Sequence, residues 1–468
     1  PGRTTRFTGC GFLRGKESDR PHAVAQVLHT LGAQVQEEAD SLTVTGVPGL
    51  HGGCVDSFGD HRIAMLAGCA AMLADGPCTL TGALFSDDSR YLQQCIADLG
   101  IDIKAEEEKA LIRVEGLGGR LPVKEASVYV GSAGTAARFL TALLGLKTGV
   151  WHLDSSEQMK RRPMLPLLQS LQELGTRVEY GEKEGHFPFT LYPGENGKQE
   201  ISVDIEHSSQ FLSALLIAAC CGDRSLDIHV KGTHGMAYID MTLRMIEQFG
   251  VFVQRKGTDC FHISTGQVYR HQDYAIEPDV SAACYFYAMA AVLGTEVLVP
   301  GVHFASLQGD VQFLRILEKM GCRLQEREEG IWLKGPENGR IHGVEADMHA
   351  CSDQAITLAA IAPFADSPVK ITGIGHIRYQ ESDRMGAIAA ELGRLGISCL
   401  AEEDSILIRP GKPAPGCVET YEDHRMAMGF SLIGLRAEGI IIKDPGCCRK
   451  TFEDYFQVLD HAVEELLS

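Results

Sequence analysis

The chain has 468 residues and carries 43 lysines and arginines against 62 aspartates and glutamates, which gives a formal net charge of −19. This excess of acid argues against nucleic acid and anionic membranes as partners, because both are bound through a basic face. Apolar residues make up 44% of the chain and charged residues 22%. This composition excludes wholesale disorder, and the length predicts roughly two to three domains.

The 15 cysteines are too sparse for a disulfide scaffold. Because none of them has Cys-x-x-Cys spacing, we expect no zinc site. The longest apolar run, about Phe211 to Cys221, is too short to span a bilayer. The odd number of cysteines and the absence of a signal-peptide pattern predict a reducing, cytoplasmic location.

In chain order, the first feature is an internal repeat that relates the two ends of the sequence. Residues from Phe7 match residues from Ile371 at a constant offset of 364, which falls to 363 after a single-residue gap. The matching strings include Glu17-Ser18-Asp19-Arg20 with Glu381-Ser382-Asp383-Arg384, Leu31-Gly32 with Leu395-Gly396, and Asp60-His61-Arg62 with Asp423-His424-Arg425. Each copy predicts a helix ending at Leu-Gly, then a strand at Ser41 to Thr45 or Ser405 to Arg409, then a helix headed by Asp-His-Arg.

Weaker echoes of the same pattern recur along the chain, spaced by roughly 75 residues, and predict a handful of similar α/β units. In each echo a helix ends in a glycine cap and a strand follows. The predicted helix ends are Leu99-Gly100, Leu174-Gly175, Phe249-Gly250, Met320-Gly321 and Leu395-Gly396. The best candidate for a crossing between domains lies near Gly232 to Tyr238.

Two strings in the first half have the chemistry of an anion site. The string GSAGTAAR, from Gly131 to Arg138, follows a predicted strand and opens a helix, so its free N–H groups and the helix dipole favour an anion. Lys160-Arg161-Arg162-Pro163 concentrates cations before a helix-starting proline. A plain strand-to-helix turn and a solvated basic patch are the alternative interpretations.

Further candidates stand at helix starts. Ser208-Ser209-Gln210 opens an apolar helix, and its polar groups could cap that helix or hold phosphate or sugar hydroxyls. Asp353 heads another apolar helix, either as an ordinary N-terminal carboxylate or as a general base. We interpret His61 and His424 as structural hydrogen bonders. Cations that could converge on a substrate anion, or could pair with neighbouring acids, are Arg378, Arg384, Arg425, Arg449 and Lys450.

Taken together, these strings resemble the enolpyruvyl transferase family, and within it the branch that acts on shikimate-3-phosphate. The resemblance covers the chain from about Cys78 to the end. It rests on the ordered motifs LFSDDSRY (84–91), SAGTAARFL (132–140), KRRP (160–163), SSQFLSALL (208–216), YIDMTLRM (238–245), EPDVSAACYF (277–286), QGD (308–310), RYQESDRM (378–385), EDHRMAM (422–428) and DPGCCRKTF (444–452). The branch that acts on UDP-N-acetylglucosamine differs around Arg162, where it carries a reactive cysteine that this chain lacks.

The resemblance implies an α/β fold of two domains, each made of repeated βαβαββ units with pseudo-threefold symmetry, an inside-out α/β barrel. It implies transfer of the enolpyruvyl group of phosphoenolpyruvate to the 5-hydroxyl of shikimate-3-phosphate, with release of phosphate, in the chorismate pathway of aromatic amino acid biosynthesis. No metal and no organic cofactor are implied, and we expect a monomer. We expect residues 61–237 to form the shikimate-phosphate domain and 238–468 the C-terminal domain, with the duplicated segment 1–60 packing on the latter.

Carried over by motif, the resemblance also implies the site residues. Those expected to bind phosphoenolpyruvate are Gly134, Arg162, Arg384, Arg425 and Lys450. Those expected to bind shikimate-3-phosphate are Thr135, Ser208, Ser209, Gln210, Tyr238, Asp353 and Gln380. Asp353 would accept the hydroxyl proton, and Glu381 would handle the proton at the methylene carbon.

The chain departs from the family pattern at several positions. Gln380 stands where the family has a lysine, and His376 stands where it has an asparagine. Glutamine keeps a hydrogen-bond donor but carries no charge and cannot shuttle a proton. The Ser-x-Pro ahead of Tyr238 has become Gly235-Met236-Ala237.

The larger departure is at the front, where the family's Lys-Ser loop is absent. Depending on the register, Ser57-Phe58 or His61-Arg62 stands in its place. One hypothesis is an active synthase in which Arg62 or Lys16 supplies the missing cation. A second is a non-catalytic or impaired chimera of the same fold that binds substrate without turnover, and a third is transfer to UDP-N-acetylglucosamine.

Overall fold

The computed structural model describes residues 59–194, 197–222, 224–233 and 235–467, together with four short N-terminal strands. These strands are β1 (Thr4–Thr8), β2 (Gln34–Glu38), β3 (Ser41–Thr45) and β4 (Gly53–Cys54). β3 pairs antiparallel with both β1 and β2, so the three form one small sheet. Among the helices in the described ranges, none is long and apolar enough to cross a membrane.

The first half of the described chain alternates helices and strands. Its elements are α1 (His61–Leu73), β5 (Pro77–Thr81), α2 (Asp87–Asp98), β6 (Ile103–Glu106), β7 (Leu111–Glu115), β8 (Glu125–Tyr129), α3 (Gly134–Gly145), β9 (Val150–Asp154), α4 (Glu157–Lys160), α5 (Leu165–Glu173), β10 (Arg177–Tyr180), β11 (Phe189–Tyr192), β12 (Glu200–Asp204), α6 (Gln210–Ala219), β13 (Leu226–Lys231), α7 (Met236–Gln248), β14 (Val253–Lys256), β15 (Cys260–Ile263) and β16 (Asp273–Ala275). The predicted helix ends at Gly100, Gly175 and Gly250 are confirmed, with φ of 80°, 100° and 80°. Glycine takes this left-handed conformation without strain, which is why the helices end there.

The second half continues the alternation. Its elements are α8 (Val280–Leu293), β17 (Glu296–Pro300), α9 (Gln312–Lys319), β18 (Arg323–Glu326), β19 (Gly330–Lys334), β20 (Glu345–Asp347), α10 (Ala355–Ile361), β21 (Val369–Thr372), α11 (Arg384–Arg394), β22 (Cys399–Ala401), β23 (Ser405–Ile408), β24 (Gly416–Val418), α12 (His424–Gly434), β25 (Ile440–Ile442) and α13 (Tyr455–Leu467). Short 3₁₀ turns at Gly309–Val311, His349–Gln354, Gly375–Tyr379 and Pro445–Lys450 connect them. The predicted ends at Gly321 and Gly396 are confirmed in the same way.

Five four-stranded sheets share one strand order. In each, the first and second strands of the unit pair in parallel. The second strand also pairs antiparallel with the fourth, and the fourth pairs antiparallel with the third. The orders are β10-β11-β9-β8, β12-β13-β15-β14, β16-β5-β7-β6, β18-β19-β17-β4 and β20-β21-β23-β22. β24 and β25 pair in parallel with α12 between them, as the first half of such a unit does. This is the repeated βαβαββ unit expected from the sequence.

Two of the sheets take their first strand from a distant part of the chain. β4 precedes α1 but pairs with β17, with Val297 opposite Gly53. β16 precedes α8 but pairs with β5, with Tyr274 opposite Leu80. The chain therefore passes between its two halves at two places, after β4 and after β16.

The sequence repeat is also a repeat of strand pairing. In the N-terminal sheet Thr8 lies opposite Ser41, and in the C-terminal copy Thr372 lies opposite Ser405. The next pair of strands agrees too, because Gln36 opposite Thr43 corresponds to Leu400 opposite Leu407. Both copies thus adopt the same register, which is what a period-2 pattern fixes when it is copied intact.

Two hydrophobic cores lie in the described chain, one built from residues between Ile63 and Ile276 and the other from residues between Val280 and Ala462. The cores therefore separate later than the crossing expected near Gly232 to Tyr238 and the expected domain boundary at 237/238. The reason is that α7, β14 and β15 complete the unit begun by β12, so their apolar side chains pack into the first core.

Candidate active site

A cleft between the two cores collects the side chains that the sequence singled out. All thirteen residues expected to bind a substrate or to transfer a proton line it. They are Gly134, Thr135, Arg162, Ser208, Ser209, Gln210, Tyr238, Asp353, Gln380, Glu381, Arg384, Arg425 and Lys450. Because they come from both halves of the chain, the cleft exists only when the two halves are packed together. Their individual roles toward substrates stay predictions.

Helix starts place several of these residues. The first turn of α3, which begins at Gly134, is buried, and Ala133 provides no side-chain cap. At the start of α6, Ser209 makes no capping hydrogen bond either, although Ser208 Oγ accepts a hydrogen bond from the N–H of Gln210 at 3.3 Å. N–H groups of an uncapped first turn are suited to an anionic ligand, because the helix dipole adds to their attraction.

Glu381 lies among three cations. Its oxygens are 2.8 Å from Arg384 Nη2, 3.4 Å from Lys450 Nζ and 3.5 Å from Arg162 Nη1. Burial by itself raises the pKa of this carboxyl, but the charges of Arg162, Arg384 and Lys450 outweigh burial and hold the pKa well below its usual value. Glu381 is therefore ionised at pH 7.

Asp353 is held in the same way by a second set of three cations. Its Oδ1 is 3.1 Å from Arg384 Nη1, and its Oδ2 is 3.0 Å from Arg425 Nη2 and 3.3 Å from Arg62 Nη1. Burial again raises the pKa of the carboxyl, but Arg425, Arg62 and Arg384 together bring the pKa far below its usual value. Arg384 bridges the two carboxylates, so Asp353 and Glu381 form one ionic network.

Another wall of the cleft is polar but less charged. Gln210 Nε2 donates to Thr135 Oγ1 at 3.1 Å, while Gln210 Oε1 and the Tyr238 hydroxyl are buried without a hydrogen-bond partner among the described residues. Arg62 stacks over the Tyr238 ring at 4.9 Å from its centroid. Buried polar atoms without partners carry a free-energy cost, which a hydroxylated ligand in the cleft would remove.

Two of the residues that depart from the family pattern, Gln380 and His376, have hydrogen-bond partners close to the site. Gln380 Oε1 accepts a hydrogen bond from Arg384 Nη1, so the amide adds to the set of groups that hold Arg384. His376 Nε2 lies 2.9 Å from Ser352 Oγ, beside the 3₁₀ turn that carries Asp353. Burial lowers the pKa of His376 to about 3, so the ring is neutral at pH 7.

Sequence reasoning missed Arg138 as a residue of the cleft, although it ends the glycine-rich string. Its side chain is fully buried, and its Nη atoms donate to Gly134 O at 3.1 Å and Pro163 O at 3.4 Å. Burial and the nearby charge of Arg162 bring the pKa of Arg138 well below its usual value. Arg138 therefore ties the start of α3 to the loop that carries Arg162, and it adds positive charge where an anion is expected.

Asp88 was also missed, although it lies within the motif at 84–91. It is buried, lines the cleft, and its Oδ2 is 3.9 Å from Lys450 Nζ. Burial raises the pKa of Asp88 above its usual value, with Lys450 opposing the shift. Asp88 therefore adds a third carboxyl to the lining of the cleft, near Lys450.

Of the two candidates for the missing cation, Arg62 lines the cleft, whereas Lys16 lies outside the described residues, as do Ser57 and Phe58 at the Lys-Ser positions. His61 Nδ1 is 2.7 Å from Asp279 Oδ2, as a structural hydrogen bond requires. Among the described residues, one group of three side chains has the geometry of potential metal ligands. It consists of Asp60, His61 and Asp279, whose ligand atoms lie within 4.8 Å of one another. The expectation that the chain needs no metal stays a prediction.

Comparison with known proteins gives a consistent result. A family model for EPSP synthase (3-phosphoshikimate 1-carboxyvinyltransferase) matches residues 2–71 and again residues 66–459. The 3-phosphoshikimate 1-carboxyvinyltransferase of Trichormus variabilis is 43% identical over 403 residues, which cover 86% of this chain and 94% of that protein. The protein of the same name from Serratia proteamaculans is 38% identical over 424 residues, covering 90% and 98%.

Solved structures agree at the level of the fold. EPSP synthase from Acinetobacter baumannii superposes with a TM-score of 0.73 at 25% identity and covers 88% of this chain and 95% of that one. The enolpyruvyl transferase NikO from Streptomyces tendae superposes with a TM-score of 0.66 at 16% identity, covering 88% and 94%, and this likeness bears on the fold alone. The fold class expected from the sequence is confirmed.

Proposed function

The chain belongs to the EPSP synthase family, and from this premise we propose that it transfers the enolpyruvyl group of phosphoenolpyruvate to the 5-hydroxyl of shikimate-3-phosphate and releases phosphate. One observation carries the proposal for this particular chain. Its cleft holds two partly buried carboxylates, Asp353 and Glu381, and each is surrounded by three cations. Cations are concentrated in this way although the net charge is −19, which suits a site for two anionic substrates.

We assign phosphoenolpyruvate to the end of the cleft where the start of α3 faces the cations. The residues are Gly134, Arg162, Arg384, Arg425 and Lys450, and Arg138 supports them from behind. The phosphate and carboxylate of this substrate would be shared between guanidinium forks, which bind planar and tetrahedral anions through paired hydrogen bonds.

We assign shikimate-3-phosphate to the polar wall. Its hydroxyls and phosphate would meet Thr135, Ser208, Ser209, Gln210, Tyr238 and Gln380, with Asp353 at the reacting hydroxyl. The unpartnered Gln210 Oε1 and Tyr238 hydroxyl support this assignment, because hydroxyl groups of a ring could serve both atoms.

In the proposed reaction Asp353 accepts the proton of the 5-hydroxyl as its oxygen attacks C2 of phosphoenolpyruvate. The methylene carbon C3 takes up a proton under the control of Glu381, which gives a tetrahedral intermediate with a methyl group. Loss of phosphate from C2 and of one proton from C3 then restores the double bond. Binding of an anionic substrate draws cations away from both carboxylates, so their pKa values rise toward the range that proton transfer needs.

We further propose that the chain acts as a cytoplasmic monomer on these small molecules, without a nucleic-acid or membrane partner and without a metal or organic cofactor. The acidic composition supports the absence of polyanionic partners. The chemistry of the cleft supports a cofactor-free reaction, because guanidinium and ammonium groups can stabilise the charge that develops on the substrates.

The direct test is phosphate release from purified protein supplied with both substrates, beside calorimetric titration with shikimate-3-phosphate alone. We expect saturable phosphate release that depends on both substrates. Shikimate-3-phosphate binding without turnover would instead identify a non-catalytic relative of the same fold. Replacing the acceptor with UDP-N-acetylglucosamine should give no phosphate release, and turnover with that sugar nucleotide would overturn the proposed acceptor.

A substitution at Gly134 tests where phosphoenolpyruvate binds. A Cβ atom there would lie 2.5 Å from Arg162 Nη1 and 3.1 Å from Arg138 Nη1, so Gly134→Ala displaces both guanidinium groups. We expect the KM for phosphoenolpyruvate to rise about tenfold or more while shikimate-3-phosphate binds as before. Gly393→Ala is the matched control, because a Cβ there meets nothing within 4 Å.

A further inference from the structure

We propose that Arg62 is a positioning residue of the active site, which holds Asp353 jointly with Arg425 and is delivered to the cleft by the N-terminal copy of the sequence repeat. This inference rests on the proposed function, in which Asp353 is the base that meets the substrate hydroxyl. It assigns a role to the N-terminal copy, which stands where the family's Lys-Ser loop is absent.

The contacts of Arg62 define one fixed position for its guanidinium group. The residue is 8% exposed, and Nη2 lies 2.8 Å from Asp310 Oδ2 and also donates to Ser281 Oγ. Nη1 lies 3.3 Å from Asp353 Oδ2. Asp310 and Ser281 are themselves joined by a hydrogen bond of 2.7 Å, so the group that anchors Arg62 is rigid. The side chain is thus held from one side and presented to Asp353 on the other.

The sequence repeat explains why an arginine arrives at this place. Arg62 and Arg425 occupy the same position of the two copies, and each is the second residue of its helix, α1 or α12. Both guanidinium groups reach the same atom, Asp353 Oδ2, Arg425 at 3.0 Å and Arg62 at 3.3 Å. Two copies of one motif, brought in from opposite halves of the chain, therefore converge on a single carboxylate oxygen.

The electrostatic surroundings of Asp353 show what Arg62 adds. The groups that face this carboxyl are Arg62 from α1, Tyr238 from α7, His376 and Glu381 from the segment before α11, Arg384 from α11, Arg425 from α12, and Asp310 beside Arg62. Three of them are cations: Arg62 and Arg425 contact Oδ2, and Arg384 contacts Oδ1. Removing Arg62 leaves the partly buried Asp353 with one cation fewer, and the carboxylate then takes up a proton at higher pH.

Arg62 also shapes the wall that would hold the second substrate. Its guanidinium carbon lies 4.9 Å from the centroid of the Tyr238 ring, a stacking distance for a cation over an aromatic face. The hydroxyl of Tyr238 is one of the two buried atoms left without a partner in the described chain at this wall. Arg62 therefore fixes both Asp353 and the ring next to it, and its loss should affect the chemical step more than the capture of phosphoenolpyruvate.

The experiment compares Arg62→Gln, Arg62→Lys and the exposed control Arg177→Gln in steady-state assays across pH. We expect Arg62→Gln to lower kcat on the order of 10²–10³-fold with little change in the KM for phosphoenolpyruvate. The acid limb of its pH–rate profile should move to higher pH, because Asp353 protonates more readily. Arg62→Lys should recover part of the loss, and Arg177→Gln should match the unaltered chain. Unaltered kcat and pH profile in Arg62→Gln would overturn the proposal.

A second measurement needs no turnover, so it separates this proposal from the proposed function. In a double-mutant cycle of Arg62→Gln and Asp353→Asn, followed by urea unfolding without substrates, we expect the two effects to be clearly non-additive. Additive effects would show that Arg62 does not act through Asp353, whatever the assay for phosphate release gives. Coupling in this cycle together with an inactive unaltered chain would count against the proposed function and leave the contact established.

Discussion

The helices α1 and α12 begin with the same three residues, Asp-His-Arg, yet the first two residues behave differently in the two places. At α12, Asp423 is bound by Arg384, with Nε at 2.8 Å and Nη2 at 3.2 Å, and by the Ser382 hydroxyl at 3.0 Å. At α1, Asp60 accepts only the capping hydrogen bond from the N–H of Ile63 at 2.6 Å, and its other oxygen lies 3.8 Å from Arg62 Nε without a hydrogen bond in the described chain.

The histidines differ as well. His61 is 2.7 Å from Asp279, which caps α8 in turn, whereas His424 is buried without a hydrogen bond to its Nδ1 among the described residues. Burial and the charge of Arg425 bring the pKa of His424 well below its usual value. Of the three residues, only the arginine makes the same contact in both copies, since Arg62 and Arg425 both lie at Asp353 Oδ2. The arginines keep the same partner because Asp353 lies in the cleft that both helices face. The aspartates and histidines differ because their partners belong to the neighbouring unit, which is not the same for the two helices.

The largest loss of stability is expected at the start of α12. Asp423→Asn removes the one fully buried carboxylate that pairs with the buried Arg384, and leaves the partly buried Glu381 and Asp353 as its remaining acidic partners. We expect the free energy of unfolding to fall by about 3–5 kcal/mol, since a buried charge that loses its partner is costly. Urea unfolding at pH 7 measures it, with Asp60→Asn as the matched change in the other copy. Equal effects of the two substitutions would contradict the difference described above.

A smaller effect on stability is expected at Asp279, the carboxylate that pairs with His61 of α1. Burial alone raises the pKa of Asp279, but the charges of His61 and Arg62 and the hydrogen bond from His61 outweigh burial and lower the pKa to about 2. A lowered pKa means that this stabilisation is present above the unfolded value near pH 4 and is lost as the pH falls toward 2. Asp279→Asn should therefore cost about 2 kcal/mol at pH 7, with a difference that shrinks below pH 4. A cost that is constant with pH would contradict this.

Asp60 should respond in the opposite direction. Burial and the nearby charge of Asp279 raise the pKa of Asp60 to about 6, against the opposing charges of Arg62 and His61. Because the folded chain then holds a proton that the unfolded chain has lost, stability falls as the pH rises from about 4 to 6. Asp60→Asn keeps the cap on α1, since asparagine caps helices as well as aspartate does. We expect a gain of about 1–2 kcal/mol at pH 7.5 and none at pH 4. Thermal unfolding at the two pH values checks the sign.

Much of the fold could be predicted from the sequence because the determining signals are local. Glycines at the ends of five helices, from Gly100 to Gly396, predicted where each helix ends, and the copied alternation predicted a strand from Ser41 and its counterpart from Ser405. The thirteen site residues were identified through motifs, and the structure brings all of them into one cleft. Small or charged residues at a helix start favour an anion whatever the rest of the fold, because the free N–H groups belong to the helix itself.

The parts that could not be predicted depend on pairing between distant segments. The cores separate after Ile276 because β16 adds to the sheet of β5 and β4 adds to the sheet of β17, and no local pattern reports such pairings. Arg138 and Asp88 were missed for a related reason. Their sequence surroundings suit a helix face, and only the packing of a second segment turns them toward the cleft.

The two chain crossings lie side by side, so the backbone connections between the halves run together as one short ribbon. Gly59 and Pro278 face each other in an antiparallel bridge, and the N–H of Asp60 donates to Glu277 O at 2.7 Å. A Cβ atom at Gly59 would collide with Gly82 O, so the ribbon has no room for a side chain there. We therefore expect a substitution at Gly59 to disturb both connections at once, and with them the packing of the two halves that forms the cleft.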